Sequence, residues 1–475
     1  MKGVHVAGQV NIRRLAKGGE PRSELNSKSE LFYSTSRGIS LDKIIPPSIP
    51  SNLTHDPKRK KTNVQLIVVL EAVTNEPELL LYTSLDGDEQ SLTVAVPDKF
   101  ESSIPGQRAC VELKGTIWAP EDAELGILSV RATHLDILLF DDISLRVADY
   151  SELSTVIGDI RTGASEPASY EEDSGPGSVF SNNNNHKLGL KVTSSNESWQ
   201  FDSRIIEVST TSGNIGGTWP LYDMLGLHSK SGNIHTLISP QDELAEKPKP
   251  AVLSISTISG TISAREPVHS LDQVPRRDYL VDIASTAGNV EGRLAFSSGI
   301  TVRTTSSDIT LDLLPVINID ILTPDKPAQL ETLTTSGTLV VRVLEPVLFD
   351  GNGKTVSITT GNINTDTNTN ANITSGVITS SSSSSSHALD CLDSTHRSTS
   401  GNIILRYPQA WEGTLSATTT SGQLRARGKD LKIINYTGGW PGSRMEARKG
   451  PVGKKSTMEV HPLLGKMDAI IGDEA

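Results

Sequence analysis

Aromatic residues make up only 4% of this 475-residue chain, and hydrophobic residues of all kinds only 36%. A thick single core needs large side chains, so the composition favours a narrow aliphatic interior repeated along the chain. Positive charge is also in short supply: 44 Lys and Arg face 56 Asp and Glu, a net charge of −12. That balance speaks against nucleic acid as the main partner, because phosphate binding needs a concentrated basic surface. PKRKK at 57–61 and ARKGPVGKK at 447–455 read as solvated runs. Cysteine is nearly absent. Cys110 and Cys391 stand far apart, outside any CxxC or CxxH spacing, which rules out a cysteine zinc site and leaves their pairing open. Long apolar runs are missing as well. VQLIVVLEAV at 64–73 is interrupted by Glu71, far short of the roughly 20 residues of a membrane-spanning helix. The first nineteen residues, MKGVHVAGQVNIRRLAKGG, lack the apolar stretch of a secretory signal.

What is present is strand texture. Residues 1–61, rich in Lys, Arg, Ser, Pro and Gly, read as a disordered N-terminal arm. From residue 62 to 162, NVQLIVVLEAV, QSLTVAVP, CVELKGTIWAP, LGILSVRAT and LDILLFDDISLRVA are short β-branched and aliphatic runs, many with period-two alternation. Residues 163–198, acidic and then Asn-rich, form a flexible insertion, and strand texture returns over 199–475. A second low-complexity insertion at about 364–397 includes seven consecutive serines at 380–386.

The region 199–475 repeats itself. IEVSTTSGNIGG, LSISTISGTISA, VDIASTAGNVEG, ETLTTSGTLVVRV, VSITTGNINT and LSATTTSGQLRAR share one frame: aliphatic strand, Ser/Thr, usually Gly, any residue, then Ile, Val or Leu. The glycines are Gly213, Gly232, Gly260, Gly288, Gly337, Gly361, Gly401 and Gly422, with Ser307 in the same slot of a further unit. Units of about 20 to 50 residues cannot bury their own faces and must stack. Each glycine is expected at a sharp corner through a positive φ, with neighbouring hydroxyls bonding backbone groups. The expected fold is all-β: a single-stack β-solenoid of short strands with low-complexity loop insertions. A propeller is disfavoured by unequal repeat lengths and the lack of a regular aromatic signature. STMEVHPLLGKMDAIIGDE at 456–474, with a corner at Gly465 but no serine, reads as a degenerate end cap.

The block order TIWAP at 116–120, LDI at 135–137, STTSGNIGGTWPLYD at 209–223 and GGWPGS with EARKG at 438–450 resembles the adhesin β-solenoid domains of unknown function, in their longer fungal form. The resemblance covers roughly residues 62–475. It implies a non-enzymatic, surface- or envelope-associated domain, in many such proteins preceded by a membrane helix that residues 1–61 do not contain.

Asp141 and Asp142 in FDDIS, near His134 and Asp136, form the best carboxylate cluster, but adjacent strand residues face opposite ways, and the GHG and RIK motifs of β-helix polysaccharide hydrolases are absent. DGNGKTVS at 350–357 has Leu348 where a phosphate loop needs glycine, and DTNTNAN at 366–372 has Ala371 and Val377 where a calcium loop needs Gly and Glu. His228 and His235 read as exposed strand residues, and no cofactor is implied. Trp219 and Trp440, each before a proline, are candidate ligand-contact aromatics or plugs against the stack. Sequons occur at Asn52, Asn196, Asn372 and Asn435. The reading is a scaffold that presents loops and Ser/Thr ladders to an unknown surface or wall component, protein or glycan, at the cell surface if a signal or anchor precedes it, otherwise in the cytoplasm. A carbohydrate-active β-helix enzyme and an intracellular interaction scaffold are the alternatives.

Overall fold

The computed structural model describes residues 4–15, 66–87, 90–102, 108–121, 123–164, 199–244, 248–269, 273–351, 353, 389–439, 442–453 and 455–472. These residues are all-β, with no α-helix among them. The chain divides into two units, residues 1–218 and 219–475.

In the first unit Tyr82–Asp86 pairs with Ser91–Ala95 in a separate antiparallel two-stranded sheet, and from Cys110 onward the chain alternates between two sheets. One sheet runs in space Ile67–Thr74, Cys110–Pro120, His5–Leu15, Asp136–Phe140, Ile160–Ala164; the other runs Ala123–Ala132, Ser144–Thr155, Gln200–Thr210. All these neighbours are parallel except Ile67–Thr74, which closes the edge antiparallel to Cys110–Pro120. The N-terminal arm expected to be disordered is therefore a strand over residues 5–15. It pairs in register from His5↔Cys110 to Leu15↔Pro120 and, on its other edge, with Asp136–Phe140. Val4, Val6, Val10 and Ile12 carry the alternation; Gly8 interrupts it because a Cβ there would lie 1.8 Å from the Leu113 carbonyl oxygen. The remainder of that arm, and most of both low-complexity insertions, lie outside the described residues.

The second unit repeats the scheme. Ile234–Pro240, Ile262–Arg265, Val290–Phe296, Ile309–Asn318, Leu339–Val343, Ile403–Tyr407, Met467–Ile471 and Leu424–Arg427 follow one another in one sheet. Met224–Ser229, Ala251–Thr257, Tyr279–Ser285, Gly299–Thr304, Ala328–Ser336, Leu392–Ser400, Ser456–Pro462 and Gly413–Thr419 do so in the other. Pairing is parallel, and inward positions such as Leu253, Ile255, Val302, Leu330 and Leu415 are buried while their neighbours are half-buried or exposed. Parallel strands usually read as continuous apolar runs because both faces are covered; here one face meets solvent, and period-two alternation survives. The segment 456–471 is not the end cap. It is inserted between the repeats at 392–407 and 413–427, and the outer edge of Gly413–Thr419 is covered instead by an antiparallel hairpin, Lys432–Thr437 with Ser443–Lys449. Ala328–Ser336 pairs directly with Leu392–Ser400, so no repeat built on Gly361 intervenes there; Gly361 itself lies outside the described residues.

The corners explain the glycines, and for most of them not through positive φ; Gly158 and Gly422, at φ 159° and 157°, are the exceptions. Gly213, Gly260, Gly288, Gly337 and Gly401 all stay outside the left-handed region. A Cβ on any of them would overlap the backbone carbonyl of the preceding corner: at Gly260 it would lie 1.9 Å from Gly232 O, at Gly288 1.7 Å from Gly260 O, at Gly401 1.8 Å from Gly337 O. Stacked corners touch backbone to backbone, and only glycine fits. Three residues earlier a buried hydroxyl accepts the corner N–H, as in Gly260 N to Thr257 Oγ1 at 3.1 Å and Gly288 N to Ser285 Oγ at 3.0 Å. It also donates to the corner carbonyl of the preceding repeat, as in Thr257 Oγ1 to Gly232 O at 3.3 Å, Thr334 Oγ1 to Ser307 O at 3.1 Å and Ser398 Oγ to Gly337 O at 3.3 Å. The residue after the glycine is not arbitrary either: Asn233 Oδ1 accepts Thr261 N–H, Asp308 Oδ1 accepts Thr338 N–H and Asn402 Oδ1 accepts Lys466 N–H. Where Ser307 replaces glycine, the buried Thr304 hydroxyl is left without a partner.

Gly260→Ala or Gly401→Ala is expected to destabilise the second unit by about 2–3 kcal/mol through forced separation of stacked corners, measured by chemical denaturation. Gly299→Ala, whose Cβ would meet nothing nearer than 3.6 Å, is expected to be neutral or slightly stabilising.

Candidate functional site

The serine-glycine corners came forward as the repeated feature, but their first hydroxyls are not a display surface. Ser229, Thr257, Ser285, Thr304, Thr334, Ser398 and Thr419 are all buried. The ladder expected to be offered to a partner is internal, whereas corner-tip residues such as Lys230–Ser231, Thr305–Ser306 and Thr399–Ser400 face solvent.

Trp219 is fully buried and cannot meet a ligand, which corrects its candidacy as a contact aromatic. Trp440 lies outside the described residues. Asp142 does not converge with other acids on a cleft. Its Oδ2 is 3.1 Å from Arg13 Nη2 on the N-terminal strand, whose guanidinium stacks 4.5 Å from the Phe140 ring and 5.3 Å from Trp118. Asp141 is exposed on the other side of the strand end, and its N–H donates to Ala164 O. Asp136 Oδ1 accepts Asp159 N–H as a corner brace, in the manner of the Asn residues above. His228 is half-buried with Nδ1 2.8 Å from Ser256 Oγ, and His235 is exposed. Cys110 is exposed in the first unit; Cys391 is buried in the second, where burial pushes its thiol up to about 11. Among the described residues no three His, Cys, Asp or Glu side chains gather as a metal-ligand set. Of the sequons only Asn435 is described, on the exposed outer strand of the terminal hairpin.

Two buried polar constellations went unread in the sequence. His396 sits with Nδ1 2.7 Å from Thr332 Oγ1 and Nε2 2.8 Å from the Tyr407 hydroxyl, and Tyr407 meets Trp411 edge to face. Burial lowers the imidazole to about 3, holding it neutral, and raises the Tyr407 phenol. The triple has the partners of a proton relay, yet His396 is 0% exposed, so no substrate reaches it; its work is to satisfy polar atoms inside the stack. The only sequence sign was a His at an inward alternation position. The second is Glu266, at the end of Ile262–Arg265. Its Oε2 accepts Ala295 N–H at 2.6 Å, Oε1 has no partner, and burial raises the carboxyl to about 8. Glu266 borders a recess of about 470 Å³ shared with Leu237, Ser239, Arg265, Gln273 and Arg293. The recess is not sealed, and no second acid lines it.

No family model, curated protein or solved structure matches the chain.

A Glu carboxyl whose folded value of about 8 exceeds its unfolded value near 4.5 binds a proton more tightly when folded. Its contribution is present below pH 4.5 and is lost as pH rises through 8. Glu266→Gln keeps an acceptor for Ala295 and is expected to flatten the decline in stability between pH 5 and 8, read from denaturant midpoints at each pH.

Proposed function

We propose that the chain is a non-enzymatic, adhesin-like β-solenoid scaffold that presents its outer strand faces, corner tips and loops for binding at a cell surface or wall. The two sheets of each unit are read as walls of one coil, since the chain passes from one to the other at every corner and each repeat adds one strand to each. One observation carries the functional part: the polar groups that repeat most regularly are consumed internally. The Ser/Thr hydroxyls bond stacked backbones, the post-glycine Asn and Asp side chains brace the next repeat, and Asp142 is held by Arg13. What faces solvent for recognition is the outward position of each strand. Parallel in-register pairing lines these positions up in columns at about 4.8 Å intervals. Such a surface recognises partners that are themselves extended and periodic, which suits wall glycans.

Incubated with isolated cell-wall glycans, the chain is expected to co-sediment with the insoluble fraction and to release no soluble oligosaccharide. Release of reducing ends that disappears in Asp142→Asn would overturn the scaffold reading in favour of a hydrolase.

A further inference from the structure

One column of the second unit stands apart from the mixed-charge surface. The register of the sheet places Leu237, Arg265, Arg293, Asp312, Arg342, Arg406, Ile470 and Arg427 side by side on successive strands. Five of the eight are arginine, in a chain whose net charge is −12. Arg265, Arg293, Arg342, Arg406 and Arg427 are all exposed, and alternation turns them outward: Val341 and Val343 flank Arg342 and are buried, as Leu405 and Tyr407 flank Arg406. Six strand spacings separate Arg265 from Arg427, roughly 29 Å. Asp312 lies 3.8 Å from Arg293 and Asp468 3.5 Å from Arg427. Arg265, Arg342 and Arg406 have no carboxylate partner among the described residues, although Arg342 and Arg406 are directly paired across adjacent strands. Like charges placed opposite one another in a sheet oppose folding, and Asp312, opposite Arg293 and Arg342, is the one acid within the column to offset it.

We propose that this arginine column is a binding track for a linear polycarboxylate glycan, a polyuronate lying along the column, perpendicular to the strands. Guanidinium is planar and presents paired N–H donors that match a carboxylate fork, which distinguishes it from a lysine point charge. A polyuronate carries one carboxylate per sugar along an extended chain, a periodicity on the scale of the strand spacing. The adjacent outward column supplies hydroxyls at Ser263 and Thr310 for sugar oxygens and contains no Phe, Tyr or Trp: it runs His235, Ser263, Glu291, Thr310, Val340, Ile404, Asp468, Arg425. Single-stranded nucleic acid on an open sheet is held by a run of stacked aromatics, and here the one ring is His235 at the end of the column. The track deepens the scaffold reading by naming a ligand class, but the column is set by strand register alone.

The test is a titration of the full chain with polygalacturonate at low salt, with its fully methyl-esterified form and poly-dT as comparators. Polygalacturonate is expected to bind, more weakly as salt rises, while the ester and poly-dT do not compete. Arg342→Gln with Arg406→Gln is expected to weaken binding about tenfold or more, the scale of two exposed guanidinium–carboxylate contacts, without lowering the melting temperature. Arg303→Gln with Arg397→Gln, on the outer face of the other sheet, is expected to leave it unchanged. The proposal is overturned by absence of polygalacturonate binding, by equal loss in both double variants, or by poly-dT binding with the same dependence on Arg342 and Arg406. If the chain sediments with wall glycans yet ignores polygalacturonate, the track fails and the scaffold reading survives; if it binds neither, both fail.

Discussion

Where one corner stacks on the next, a backbone carbonyl occupies the space in which a Cβ would otherwise stand. Gly260, Gly288, Gly337, Gly401, Gly465 and Gly422 each lie within about 2 Å, measured from the hypothetical Cβ, of the carbonyl oxygen of the neighbouring corner. Everything regular about the second unit follows from that contact. With no side chain between corners, the stacked backbones can approach closely enough for one buried hydroxyl to reach both the N–H of its own corner and the carbonyl of the neighbour. A buried hydroxyl that lost both partners would cost about 1–3 kcal/mol. Threonine and serine are therefore tolerated inside a narrow aliphatic stack, which accounts for a chain this poor in large hydrophobic side chains.

Because every interface between repeats is made in the same way, a repeat is accepted wherever its frame fits, and chain order need not be spatial order. The C-terminal segment shows this. Gly465 meets the Gly401 carbonyl on one side, and its own carbonyl is met by Gly422 on the other, so the segment written last sits second from the end of the parallel stack. The first unit does the same with its N-terminal strand, which enters between Cys110–Pro120 and Asp136–Phe140. In-register stacking also has an outward consequence: side chains from residues 19 to 64 positions apart become neighbours in one column, and a charge pattern invisible along the sequence, such as Arg265, Arg293, Arg342 and Arg406, becomes a line.

The all-β fold, the repeat and its glycine slot were legible because they are local: alternation shows in each strand, and the serine-glycine frame lies within seven residues. The reason for the glycines was not, since a close approach between corners leaves the same signature as a positive φ. The corner at Gly158 was passed over because Val156 and Ile157 stand at its tip in place of Ser and Thr, although Thr155 and Asp159 keep the bonding positions. The N-terminal strand was hidden by its Arg and Gly content, and its partners are more than ninety residues away. Trp219 stood between ligand contact and plug because the sequence around it does not reveal its burial, which is complete. His396 carried no motif, and the arginine column depends on register, which no single repeat contains.

Amide hydrogen exchange of the corner peptides tests the close-packed corner most directly. If stacked backbones and shared hydroxyls hold the corners, peptides covering residues 256–262, 284–290 and 398–403 exchange as slowly as the centres of the strands they join. Exchange at the rate of the exposed residues 242–244 would contradict it, since the corners would then be ordinary solvent-exposed turns and the glycines would need another explanation.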